Sequence, residues 1–157
     1  MIILKNKEEI EKMKKSGAII KKLFEEIDAH SIIKEGVTTK SIDLFIGNFI
    51  RNNSAIPSFL EYRGFPANSC ISINDTVVHG IPNDYVLKDG DVVSVDVGVY
   101  ADGYHADAAR TYILNVEDKK VLEFVETARE SFFEALKVCK IDKRIGDISN
   151  SIQRFVE

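Results

Sequence analysis

An α+β fold built on an antiparallel sheet is what this 157-residue sequence predicts. Two amphipathic helical stretches open the chain, residues 92–113 alternate as two strands about an Asp102-Gly103 turn, and two further helical stretches close it. The length suits one ordinary domain or part of one, with 45% hydrophobic and 29% charged residues. A net charge of −4 leaves no basic footprint for nucleic acid. Charged residues follow Met1-Ile2-Ile3-Leu4 at once, so no signal-peptide core is expected, and no apolar run approaches the ~20 residues of a membrane span. The cytoplasm is the expected compartment. Cys70 and Cys139, the only cysteines, form no C-x-x-C and are expected reduced, with Cys139 in the core.

From Lys7 to about Ala29, the residues Ile10, Met13, Ile20, Leu23, Phe24 and Ile27 recur at helical spacing against a lysine- and glutamate-rich face. Gly36 breaks the chain, and Thr39 is the expected N-cap of a second helix with the stripe Ile42, Phe45, Ile46, Phe49 and Ile50, ending at Asn52-Asn53. Pro57, Gly64 and Pro66 mark an irregular connection carrying Phe59, Tyr62 and Phe65, and Cys70 to Ile73 reads as a short strand. In Val92 to Tyr100 valine fills every odd position from 93 to 99, so the odd face is core. Asp102-Gly103 is a type I′ turn signal, and Tyr104 to Ile113 returns as the partner strand. Asp118 caps a third helix with Val121, Val125, Ala128, Phe132, Ala135 and Leu136 inward, and a fourth helix follows Asp147.

The fourth helix hints at a repeat. Its stripe Ile148, Ile152, Phe155 and Val156 matches Ile42, Ile46, Phe49 and Ile50 at one constant offset. At a slightly longer offset, Phe132, Phe133 and Leu136 match Leu23, Phe24 and Ile27, although any two amphipathic helices can be aligned this way. On this reading a first repeat runs from about 7 to 113 and a second begins at about 118–157, with its hairpin still to come. The expected consequence is a partial domain with an unpartnered sheet face and helix stripe, and hence an exposed apolar patch.

Alternation places Ser94, Asp96, Gly98 and Tyr100 on the face opposite the valines. A turn at Asp102-Gly103 sets Gly98 opposite Asp107 with Asp96 diagonal to it, whereas a turn at Ala101-Asp102 pairs the aspartates directly. Either register brings the two carboxylates together, about 5 to 8 Å apart on one face, where one tends to hold a proton unless a cation intervenes. Two readings stand side by side: solvated aspartates on an exposed sheet face, or a metal platform. Small neighbours, Gly98, Ala106, Ala108 and Ala109, suggest that room is kept there. Two oxygen ligands do not complete a site for any common divalent ion.

Five linked segments now acquire a family likeness. Cys70-Ile71-Ser72-Ile73-Asn74-Asp75, Val77-Val78-His79-Gly80-Ile81-Pro82, Leu87-Lys88-Asp89-Gly90-Asp91-Val92-Val93, Asp96-Val97-Gly98 and Asp102-Gly103-Tyr104-His105-Ala106-Asp107 together resemble type I methionine aminopeptidases. The likeness covers the first of the two pseudo-symmetric halves of that family's pita-bread fold and the start of the second. It implies a metalloaminopeptidase, a hydrolase that removes the initiator methionine from nascent proteins with two divalent metal ions (Co, Mn, Fe or Zn). Asp96 would be the chelating carboxylate and Asp107 the bridging one, with one histidine and two glutamates supplied by the second half. This chain alone would then be inactive.

The resemblance further implies that His79 is catalytic and binds substrate, hydrogen-bonding near the scissile amide; without it, His79 reads as a solvated turn histidine. It assigns Phe59, Tyr62, Phe65 and Cys70 to a methionine pocket, where ordinary core packing is the competing reading for Phe59, and places Asn74 at a monovalent cation. His105 reads as a polar neighbour of the metal-binding strand and His30 as a helix-end residue. The implied partners are the N-terminal methionine of nascent polypeptides and the ribosome, with no membrane and no nucleic acid, and a monomeric full-length enzyme. Two rivals remain: another pita-bread metallopeptidase, specific for proline, which would lack the His79-Gly80-Ile81-Pro82 context, and a non-catalytic pita-bread binding protein.

Overall fold

The computed structural model describes residues 3–157. The chain divides after Asn115 into two compact units. In the first, helix α1 spans Lys7–Ala29 and starts with a reciprocal cap: Glu9 N–H donates to Asn6 Oδ1 at 2.9 Å, and Asn6 N–H to Glu9 Oε2 at 2.7 Å. Its buried stripe is Ser16, Ile20, Leu23, Phe24 and Ile27. Ile10 and Met13, expected to share it, are exposed, and burial begins at Ser16, whose hydroxyl donates to Tyr104 O at 2.8 Å. His30 is the C-cap of α1, at the helix end where it was expected.

Helix α2, Thr39–Asn52, is capped by Thr38 and not by Thr39. Thr38 Oγ1 accepts from Ser41 N–H, while the buried Thr39 hydroxyl is already spent on residue 83, donating to Asn83 O at 2.9 Å and accepting from Asn83 N–H at 2.9 Å. The α2 stripe buries Ile42, Ile46 and Ile50 completely, with Phe45 and Phe49 partly covered.

The sheet has four strands: β1 Ile56–Pro57, β2 Cys70–Ile73, β3 Val92–Ala101 and β4 Tyr104–Ile113. The long strand β3 pairs antiparallel with β4 along one edge and, along the other, with β2 near its start and β1 near its end. Both turn residues have positive φ, Asp102 at 51° and Gly103 at 88°, as a type I′ turn requires. Val93, Val95, Val97 and Val99 are 0% exposed, packed with the stripes of α1 and α2 in one apolar core. The expectation of an unpartnered apolar sheet face is therefore corrected for this face, which the two helices cover completely.

The second unit holds α3, Lys119–Val138, and α4, Ile145–Val156. Asp118 caps α3 as expected, accepting from Lys120 N–H at 2.9 Å. Asp147 does not precede α4; it is its third residue, accepting from Arg144 N–H at 2.8 Å, so the helix starts three residues earlier than expected. Of the face expected inward on α3, Ala135 is buried but Ala128, Phe132 and Leu136 are exposed. Cys139 is exposed rather than core, because α3 has ended one residue before it. Ile152, Phe155 and Val156 of α4 are exposed, as expected of that helix's stripe, and Phe132, Phe133 and Leu136 of α3 add further exposed apolar surface. No helix among the described residues is long and apolar enough to cross a membrane.

Burial decides where the fold is sensitive. Ile46→Ala, in the core between α2 and the sheet, is expected to cost about 2 to 5 kcal/mol in urea unfolding. Phe132→Ala, with a residue that is 59% exposed, is expected to cost less than about 1 kcal/mol in the same assay.

Candidate metal centre

The turn selects the register in which Gly98 faces Asp107, Asp96 faces Ala109 and, across the other edge, Cys70 faces Asp96. One face of the sheet thus gathers Cys70 and Ser72 from β2, Ser94, Asp96 and Gly98 from β3, and Asp107, Ala109 and Thr111 from β4. Of the small residues expected to leave room here, Gly98 and Ala109 lie on this face, and the space over Gly98 is taken by Phe59 and Ser58. Ala106 and Ala108 face Val99 and Val97 and pack into the core instead, because parity puts them on the opposite side.

Asp96 lies half-buried and its Oδ1 is a buried oxygen with no hydrogen-bond partner, the one such side-chain atom among the described residues. Burial first, then the neighbouring Asp107 carboxylate, raises its pKa to about 6; His79 and the Val97 N–H act in the opposite direction. An orphaned carboxylate oxygen beside a second carboxylate is a site short of positive charge. The two aspartates fit a divalent cation as two of its oxygen ligands, though no cluster of three or more metal-ligating side chains occurs among the described residues.

His79 is exposed, at φ 57°, on a loop stitched to β2: Ile71 N–H donates to Gly80 O at 2.9 Å, and Gly80 N–H to Ser72 Oγ at 3.1 Å. A Cβ on Gly80 would stand 2.2 Å from Ile71 O, so only glycine lets the loop lie this close to the strand. The segment 58–69 leaves the sheet between β1 and β2. Its Phe59 packs on Gly98, where a Cβ would meet Phe59 Cε1 at 2.7 Å, so this aromatic ring lies on the carboxylate face beside Asp107's partner.

Tyr62 and Phe65 follow on the same segment, Tyr62 64% exposed in a single 3₁₀ turn and Phe65 half-buried. Cys70 is buried against Asp96, and burial, with Asp96, Asp107 and Asp43, pushes its thiol up to about 11, so it stays protonated. His105 lies on the carboxylate face, its Nδ1 2.9 Å from Ser58 Oγ. Asn74 stands apart: its Nδ2 donates to Asp91 Oδ1 at 2.8 Å and its Oδ1 accepts from Val92 N–H at 2.9 Å, so its side chain latches β2 to β3. The sequence reading gave no role to Asp43 and Asn68, which are joined by a buried hydrogen bond, Asn68 lying two residues before Cys70; the spacing Asp43, Gly47, Arg51 on one helix face was the available signal.

Half-buried Asp96, with its unsatisfied oxygen, beside exposed Asp107 on a sheet backed by two helices is an arrangement that fits the class of carboxylate-ligated metal proteins. The model of metallopeptidase family M24 matches residues 11–157, and the chain belongs to that family. It is 42% identical over 157 residues to a methionine aminopeptidase of Clostridium perfringens and 43% identical over 160 residues to methionine aminopeptidase 1 of Bacillus subtilis. In each case 100% of this chain and 62% of the relative are covered. The crystal structure of the Thermotoga maritima methionine aminopeptidase superposes with a TM-score of 0.94 at 38% identity, covering 99% of this chain and 62% of that one. Prolidase from Pyrococcus furiosus shares the fold at 22% identity and a TM-score of 0.82. The expected α+β pita-bread architecture is therefore the observed one, and the chain spans 62% of the length of these methionine aminopeptidases.

In the metal-free chain, protonated Asp96 is better accommodated by the fold than ionised Asp96. Its contribution to stability is complete below pH about 4 and is lost as pH rises through about 6. Asp96→Asn should accordingly raise the thermal midpoint of the metal-free chain at pH 7.5, with the gain disappearing below pH about 4. Differential scanning fluorimetry across that range reads the effect.

Proposed function

We propose that this chain carries two of the metal ligands and one pocket wall of a methionine aminopeptidase acting on the N-terminal methionine of nascent polypeptides. The observation that carries the reading is the partnerless, buried Asp96 Oδ1 beside Asp107 in a chain 42% identical to such an enzyme. Asp96 would chelate one divalent ion and Asp107 bridge two, the remaining ligands coming from sequence outside the matched 62% of the relatives. When bound, the metals supply Lewis acidity and an activated water.

The chain's own residues prepare the rest. Asp96 and Asp107 give up their mutual repulsion to the cation, and His79, on its pinned loop, donates a hydrogen bond that favours the tetrahedral arrangement over the planar amide. Phe59, Tyr62, Phe65 and the protonated Cys70 offer polarizable and aromatic surface to a thioether side chain. The monovalent cation expected at Asn74 would rest on backbone oxygens, since its side-chain amide is engaged on Asp91 and Val92.

The test uses a protein extended to the relatives' length and loaded with Mn, Fe, Co or Zn, with Met-Ala-Ser as substrate. Asp107→Ala is expected to lower methionine release by more than about 100-fold, beyond the loss typical of outer-shell changes. His79→Ala should lower kcat roughly 10²- to 10³-fold at unchanged metal content. Preferential hydrolysis of Xaa-Pro dipeptides would overturn the methionine assignment. The 157-residue chain alone is expected to bind these ions weakly in calorimetry and to release no methionine, because two carboxylates leave most of the coordination sphere to water.

A further inference from the structure

Helix α2 presents Asp43, Gly47 and Arg51 one above another, four residues apart on one face. The side chain of Asn68 lies in this slot. Its Nδ2 donates to Asp43 Oδ2 at 2.7 Å and its Oδ1 accepts from Arg51 Nη2 at 2.7 Å. Between these two jaws a Cβ at position 47 would stand 2.5 Å from Asn68 Cγ, so the glycine makes the room. The other carboxylate oxygen of Asp43 accepts from Ser69 N–H at 2.8 Å and from Ser69 Oγ at 2.7 Å. Asp43, Asn68 and Ser69 are all buried, and the amide has only one orientation that satisfies both jaws.

The next residue is Cys70, the cross-strand partner of Asp96. The opposite foot of the same segment is pinned independently: Ser58 N–H donates to Gly98 O at 2.9 Å and Ser58 Oγ meets His105 Nδ1. Phe59, Tyr62 and Phe65 thus hang between two anchors, one at the carboxylate face and one on α2. Nonspecific apolar packing would bury residues 68 and 69 as well, but only directional bonds fix where the strand entry stands relative to Asp96.

We propose that Asn68, gripped by Asp43 and Arg51, is a positioning residue that sets Cys70 and its end of the substrate pocket. The inference rests on the reading of Cys70 as pocket wall. It predicts that loosening the grip frees Cys70 locally while the core of α1 and the sheet stays closed.

The experiment labels the full chain with N-ethylmaleimide at pH 7.5 in a Cys139→Ser background, so that Cys70 is the reporter. A second background, Ile20→Cys with Cys70→Ser and Cys139→Ser, reports opening of the core. Asn68→Ala is expected to raise labelling at Cys70 about tenfold more than at position 20. Arg51→Ala, a milder change at an exposed residue, should give a rise of about threefold at Cys70.

Exchanging the partners, Asp43→Asn with Asn68→Asp, keeps the side-chain bonds between positions 43, 68, 69 and Arg51 matched, losing only the 3.5 Å contact to Asp43 O, and is expected to bring labelling back within about twofold of the parent. Asn68→Asp alone, which sets two carboxylates face to face, should not. Equal rises at Cys70 and position 20, or no recovery on exchange, would overturn the proposal. Protection of Cys70 by L-methionine, measured in the metal-loaded protein extended to the relatives' length, tests the pocket separately: no protection, with the exchange still restoring labelling, would remove the pocket assignment and leave the grip standing.

Discussion

A two-residue turn governs this site through parity. Because Asp102 and Gly103 both take positive φ, β3 and β4 pair with Gly98 facing Asp107, and every side chain's face follows from that register. Four valines go to the core, and Asp96 and Asp107 come together on the other side. A one-residue slip of β4 along β3 would turn Asp107 toward the core and part it from Asp96. The tip of the hairpin is held accordingly, by the Ser16 hydroxyl on Tyr104 O, by the Tyr104 hydroxyl donating to Glu9, and by Lys15 paired with Asp102.

The carboxylate pair contrasts with the other buried aspartates. Asp43 and Asp91 are surrounded by donors: Asn68 and Ser69 for the first; Asn74, Tyr85 and the Lys88 N–H for the second. Asp96 keeps an oxygen without any donor. A fold that satisfies two internal carboxylates fully and leaves an oxygen of the third without a donor sets Asp96 apart from the two structural acids.

Much of the frame was legible because periodicity reports local geometry. The α1 stripe from Ile20 onward, the α2 stripe, the valine alternation, the Asp102-Gly103 turn and the Asp118 cap all behave as their spacing demands. Errors fell where long-range contact decides. Thr39 looked like a cap but is occupied by Asn83; Ala106 and Ala108 looked like neighbours of the carboxylates but face the core; Phe132, Leu136 and Cys139 looked inward but are exposed. An amphipathic pattern states that a face is apolar, not that anything covers it.

The sequence by itself determined the helices, the hairpin, the shared face of Asp96 and Asp107 and, through linked motifs, the family. All of these follow from spacing along the chain, which backbone geometry converts directly into direction. Tertiary structure alone decided that Asp96 Oδ1 is buried without a donor, that Phe59 lies on Gly98, that Gly80 admits the His79 loop, and that Asn68 is gripped across α2. These are relations between residues remote in sequence, set by the mutual approach of elements to within an ångström, and no periodicity encodes that distance.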